Sequence, residues 1–128
     1  MARDSRQEAR ERLSVLADAP VADTAAGRRL ERDASLLGRL LAAAAGDQNS
    51  GRQAPDVVAD DVGAALGLFE DMREQLDRLE TQVVIEARRR GMDWRQIAQH
   101  RGLNSSQAAS QRYQRLMTRL EEIRQGVR

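Results

Sequence analysis

The sequence predicts an all-α fold, and three observations carry that expectation. Apolar residues recur at spacings of three and four through most of the chain, the period of a helix with one buried face. No segment alternates apolar and polar residues with the β-branched or aromatic enrichment of a strand. Capping residues, glycines and prolines fall between the periodic segments, where helices should start and stop. The expected architecture is an N-terminal helical scaffold or hairpin followed by a C-terminal unit of three helices.

The elements follow in order. A first helix is expected over residues 4–18. Asp4 or Ser5 caps it, Ala9, Leu13 and Leu16 line one face, and Ala19-Pro20 stops it, because the residue before proline avoids the α region. A second is expected over 23–45, capped by Asp23 or Thr24. Leu30, Ala34, Leu37, Leu41 and Ala44 form its apolar row, and Gly46 is its terminator. Residues 46–54 are polar and rich in turn formers, the one clear linker. The third helix is expected from Pro55 to about Arg90. Its stripe is Val58, Val62, Ala65, Phe69, Met72, Leu76, Leu79 and Val83, a heptad seam. Gly63 and Gly67 are weak points where it could split in two. A seam of this length packs on another helix, within the chain or in a second copy.

Composition sets the limits on function. No apolar run approaches the roughly 18 residues that span a bilayer. The charged N-terminus, with no apolar segment behind it, gives no sign of a signal peptide, and a cytoplasmic location is expected. The absence of cysteine excludes disulfides, thiolate metal sites and cysteine nucleophiles. A single histidine, His100, and the lack of a Gly-Lys-Ser/Thr phosphate loop leave an enzyme with nothing to build on. No metal or cofactor is expected. With three aromatic residues the core is thin, and a homodimer is expected to supply the missing buried surface.

Charge is unevenly spread. Residues 1–50 are neutral, 51–90 carry −3 and 91–128 carry +4. An acidic scaffold with a cationic end suggests that the end meets an anion. The chemistry-bearing segment is there. Gly91 ends the long helix. Asp93 and Gln96 have capping-box spacing for a short helix whose buried face is Trp94, Ile97 and Ala98. Gly102 supplies a turn, Leu103 plugs the gap, and Asn104 or Ser105 caps a last helix that buries Ala109, Tyr113, Leu116 and Leu120. On its opposite face stand Gln107, Gln111, Gln114 and Thr118, flanked by Ser110 and Arg115, and no carboxylate occurs between Leu103 and Leu120. Glutamine bonds bidentately to adenine and arginine to guanine. Ser106, Arg95, Arg101, Arg112 and Arg119 are candidate phosphate ligands, and Ser105 is a further candidate DNA contact. Arg88-Arg89-Arg90 is either a solvated helix end favoured by the macrodipole or a phosphate clamp that includes Arg90.

This stretch resembles a known group. Trp94-x-x-Ile97-Ala98, then Gly102-Leu103, then Ser105-x-Gln107-Ala108-Ala109-x-x-Arg112-Tyr113-x-Arg115-Leu116 is similar to the helix-turn-helix of small actinobacterial DNA-binding proteins. Some of these are heat-shock-type transcriptional regulators and others nucleoid-associated factors. The resemblance covers about residues 85–120. It implies DNA binding through the last helix, with Trp94, Ile97, Ala98, Gly102 and Leu103 as frame and Ser106, Gln107, Gln111, Arg112 and Arg115 as contacts. Where that group often has an apolar residue before the turn glycine, this chain has Arg101.

The reading is a DNA-binding protein, a transcriptional regulator or nucleoid-associated factor, with double-stranded DNA and a second copy as partners. Residues 1–54 form its N-terminal region, 55–90 its long helix and 91–128 its helix-turn-helix. The alternative is a helical protein-interaction module or a factor that contacts RNA polymerase.

Overall fold

A computed structural model describes residues 2–19, 25–49, 57–124 and 126, and no strand occurs among them. Five helices follow one another: α1 (Ala2–Ser14), α2 (Ala25–Asn49), α3 (Ala59–Arg89), α4 (Trp94–Arg101) and α5 (Ser106–Arg124). The all-α expectation holds. Details at the helix ends differ. α1 begins before Asp4 and Ser5, so neither caps it, and it gives way to turns after Ser14. The proposed stop at Pro20, the caps Asp23 and Thr24, and Pro55 all lie outside the described residues.

Gly46 does not end α2. The helix runs through it to Asn49, shortening the expected linker. A glycine ends a helix by taking a positive φ, and Gly46 does not take one. Likewise α3 passes unbroken through Gly63 and Gly67. At its start Asp61 accepts a hydrogen bond from the Val58 amide at 3.0 Å, which satisfies one of the orphan donors of the first turn.

α2 and α3 pack together as an antiparallel hairpin. The Arg29 guanidinium meets the Asp71 carboxylate at 2.9 Å. From that contact α2 continues for about 30 Å, and α3 has run about 18 Å to reach it. A parallel pairing would set the joined ends about 48 Å apart, beyond the roughly 35 Å that the connecting residues can span.

The hairpin uses one half of the predicted stripe, Ala65, Met72 and Leu79, together with the neighbouring Leu68 and Gln75, and leaves the other half uncovered. Ala65, Leu68, Met72, Gln75 and Leu79 are covered, whereas Val58, Val62, Phe69, Leu76 and Val83 stay between 39% and 69% exposed. On α2, Leu30 and Leu37 are covered as expected, but Leu40 replaces Leu41 and both Ala34 and Ala44 face out. Two apolar rows lie side by side on α3, and α2 sits over the one centred on Gln75. That residue is fully buried, its amide nitrogen bonded to Asp71 at 3.1 Å. Residues 4–19, which include most of α1, have every side chain exposed.

Candidate nucleic-acid interface

The C-terminal unit is shaped by two helix ends of the same design. At the end of α3, Gly91 takes φ +86°, its amide bonds the Arg88 carbonyl, and the Met92 amide reaches back to the Ala87 carbonyl at 3.0 Å. At the end of α4, Gly102 takes φ +78°, its amide bonds Gln99, and the Leu103 amide reaches the Ala98 carbonyl at 2.8 Å. Each is a Schellman motif, with glycine where an L side chain would be strained. In each an alanine stands at the receiving carbonyl and an apolar residue follows the glycine. Met92 and Leu103 both pack against the core of the unit.

Asp93 and Gln96 form the expected capping box: the Asp93 carboxylate accepts from the Gln96 amide at 2.8 Å, and the Gln96 side chain accepts from the Asp93 amide at 2.9 Å. Ser105 proves to be the cap of α5, its hydroxyl accepting from the Ala108 amide at 3.0 Å. These signals fix the turn between α4 and α5 to residues 102–105.

The core is Val84 from α3, Ile97 and Ala98 from α4, and Ala109 and Tyr113 from α5. The Trp94 and Tyr113 rings stack with centroids 6.2 Å apart. Arg88 lies over the Trp94 ring at 4.9 Å and donates to the Met92 carbonyl at 3.3 Å, so the first arginine of the 88–90 run is tied to the frame. Arg89 and Arg90 both bond Glu86, at 3.3 and 3.0 Å, with most of each side chain in solvent.

The unit is tied to α3 by a carboxylate that the sequence reading did not single out. Glu80 accepts from Arg101 Nε at 3.0 Å, from Arg112 Nε and Nη2 at 3.2 and 3.1 Å, and from the Tyr113 hydroxyl. Burial disfavours its charge. The hydrogen bonds from Arg112, Tyr113 and Arg101 outweigh that cost and hold its pKa at about 2. The same contacts raise Arg112 above its ordinary value, with the Glu80 bond first among the causes. Burial, then the bond to Glu80, raises the Tyr113 phenol. A signal for Glu80 was present: a carboxylate four residues before the core residue Val84, on the face beside an apolar stripe. Arg101, the departure from the pattern before the turn glycine, is where α4 reaches that carboxylate.

The candidate residues divide accordingly. Gln107, Gln111, Gln114 and Arg115 stand exposed along one face of α5, with Thr118 and Arg119 continuing it and Ser106 exposed at its first turn. Arg95 is exposed on α4, and Ser110 is half-buried at the edge of the face. Arg112 is drawn to the other side by Glu80 and is half-buried, and Ser105 is occupied by the cap. Arg115 folds its Nε over the Gln111 carbonyl at 3.4 Å. Among the described residues Arg95, Arg115 and Arg119 pair with no carboxylate. As far as Leu120 the exposed surface of α5 carries amides, guanidinium groups and hydroxyls, and Glu122 borders it one turn beyond Thr118.

Residues 85–122, from the last turns of α3 into α5, match the Myb-like DNA-binding domain family. No curated protein and no solved structure matches the chain. The match falls on the unit just described and supports a helix-turn-helix DNA-binding protein. No helix among the described residues is long and apolar enough to cross a membrane.

Proposed function

We propose that this chain is a sequence-preferring DNA-binding protein that lays α5 in the major groove, acts as a dimer, and serves as a transcriptional regulator or nucleoid-associated factor. The observation that carries the reading is the exposed face of Gln107, Gln111, Gln114 and Arg115, free of carboxylates over its length to Leu120. Amides on this face suit adenine edges and the guanidinium suits guanine. Arg95, Ser106 and Arg119 surround the face as phosphate ligands, which fix register without reading sequence. α4 crosses the backbone while α5 enters the groove. Arg112 and Ser105 serve the frame, and Arg90 stands at the margin.

The test is binding of labelled duplexes by fluorescence anisotropy, for the wild type and for Gln107→Ala and Gln111→Ala. Wild-type affinity should fall steeply between 50 and 200 mM salt. Each glutamine variant should keep that salt dependence and bind preferred and scrambled duplexes more nearly alike. A wild type with no affinity for any duplex at 50 mM salt overturns the reading.

A further inference from the structure

The apolar stripe that α2 leaves uncovered is Val58, Val62, Leu66, Phe69, Leu76 and Val83, with Leu66 66% exposed and Val83 69%. Together these residues leave on the order of 500 Å² of apolar surface on one chain, so that complete coverage in a pair of copies removes about 1,000 Å² at most, the lower bound for a specific interface. We infer that this stripe pairs antiparallel with the same stripe of a second copy, and that the pairing sets two α5 helices about one turn of DNA apart. The second part rests on the DNA-binding reading above. The first part does not.

Three features single out a second copy of this chain. Val62, Phe69, Leu76 and Val83 recur every seven residues. On a lone straight helix such a row drifts by about 20° per heptad, and it stays on one seam only against another helix that coils with it. The row is also symmetric about a point between Met72 and Arg73. An antiparallel copy sets Val62 opposite Val83 and Phe69 opposite Leu76, apolar on apolar throughout. Arg73 then lies beside the axis, within reach of Glu70 of the other copy. The two Arg73 residues meet across the axis in either orientation, flanked in the antiparallel one by Glu70 of both copies, whereas a parallel copy also stacks Glu80 on Glu80. Finally, a hollow at the far end of α3, with an apolar wall of Val83, Val84, Ala87, Met92 and Ile97 and a polar rim that includes Glu80, His100 and Arg101, continues the stripe. In the antiparallel register Val58 of the other copy enters it opposite Ala87.

The geometry then reaches the DNA. Val84, which anchors the α4–α5 unit, lies 11 to 12 residues from the axis. Two such anchors stand about 34 Å apart at 1.5 Å per residue, and successive major-groove faces of B-DNA lie about 34–36 Å apart. At 100° per residue, Thr81 and Val84 project away from the row that α2 covers, and a twofold axis keeps both units on the same side. The two recognition helices therefore face one side of a duplex with the hairpins behind them.

The chain contains no cysteine, so introduced thiols report the pairing directly. The double variant Val62→Cys/Val83→Cys should give a covalent dimer on mild oxidation without DNA, since the two positions on one rigid helix are too far apart to bridge within a chain. Each single variant should give little. Strong cross-linking by both single variants means parallel pairing and overturns the proposal. So does the absence of cross-linking in the double variant while circular dichroism shows full helix content.

Light scattering should give twice 14.3 kDa for the wild type and one chain for Phe69→Glu/Leu76→Glu with its helix content kept. A wild type that stays a single chain at tens of micromolar overturns the dimer. In a DNA arm, a 24-base-pair random duplex should bind the wild type about tenfold or more tighter than a 12-base-pair one, and the Phe69→Glu/Leu76→Glu variant should lose that preference. Cross-linking without a length preference overturns the one-turn spacing alone. Cross-linking with no affinity for either duplex overturns the DNA-binding reading and leaves the dimer standing.

Discussion

Tyr113 on α5 donates its hydroxyl hydrogen to Glu80 on α3, 33 residues earlier in the chain. The same carboxylate holds Arg112, the neighbour of Tyr113, and Arg101 at the end of α4. One acidic side chain thus fixes both helices of the C-terminal unit to the long helix, on the side away from the exposed glutamines. The rotation of α5 about its own axis, which decides what its outer face presents, is set from behind by this contact and by the burial of Ala109.

Glu80→Gln keeps the size of the side chain and removes the charge that three donors share. Hydrogen bonds to charged groups contribute about 1.5–3 kcal/mol each when well buried. Arg101 and Arg112 are partly exposed and regain water, which reduces the loss. A net destabilisation of about 1–3 kcal/mol is expected, lowering the melting temperature by roughly 4–10 °C, read from thermal melts by circular dichroism. An unchanged melt would mean that the carboxylate is not what fixes the unit.

The pH dependence follows with a definite sign. The pKa of Glu80 lies at about 2 in the fold, against an ordinary 4.5. A carboxyl depressed by folding contributes stability that is complete above its unfolded pKa and is lost as pH falls toward its folded value. The gap in stability between the wild type and Glu80→Gln should therefore be constant at neutral pH, narrow below about pH 4.5 and largely close near pH 2. Paired melts across that range measure it. A gap that stays constant down to pH 2 contradicts the assignment.

The legible parts of the sequence were those governed by local rules. The Asp93–Gln96 box, the glycine stops at Gly91 and Gly102, and the buried positions Ile97, Ala98, Ala109 and Tyr113 are each fixed by residues within a turn or two, and each stands where expected. The phase of the α2–α3 seam was not legible. Two apolar rows sit side by side on α3, and the choice between them depends on long-range packing over Gln75. Glu80 was hidden for the same reason: its partners lie 21 to 33 residues away. On the candidate face, solvent exposure of Gln107, Gln111 and Gln114 followed from the wheel alone, whereas Arg112 could be assigned to frame or surface only once the position of Glu80 was known.

Glycine substitutions should act with opposite signs at two kinds of site. Gly102 has φ +78° with open space where a Cβ would lie. Gly102→Ala meets no clash and is destabilising through backbone strain alone, by about 1–2 kcal/mol. Gly67 lies inside α3 with ordinary helical φ and equally open surroundings. Gly67→Ala should therefore be stabilising by about 0.5–1 kcal/mol. Urea denaturation of both variants measures the two signs, and a destabilised Gly67→Ala would show that α3 bends at this position.

Arg112 and Arg115 provide the sharpest test of how the C-terminal arginines are divided. They are three residues apart and carry the same group, yet one is bonded to Glu80 and the other faces outward on α5. A side chain that contacts a phosphate contributes about one unit to the slope of log affinity against log salt. Arg115→Ala should lower that slope, or weaken guanine preference where the contact is to a base edge, while leaving the thermal melt nearly unchanged. Arg112→Ala should lower the melting temperature by several degrees, since it leaves Glu80 short of its principal partner, and leave the salt slope of the folded fraction as in the wild type. Anisotropy titrations between 50 and 200 mM potassium chloride, run well below the melting temperature, separate the two. The reverse pattern would place Arg112 on the DNA and leave Glu80 competing with phosphate for its guanidinium.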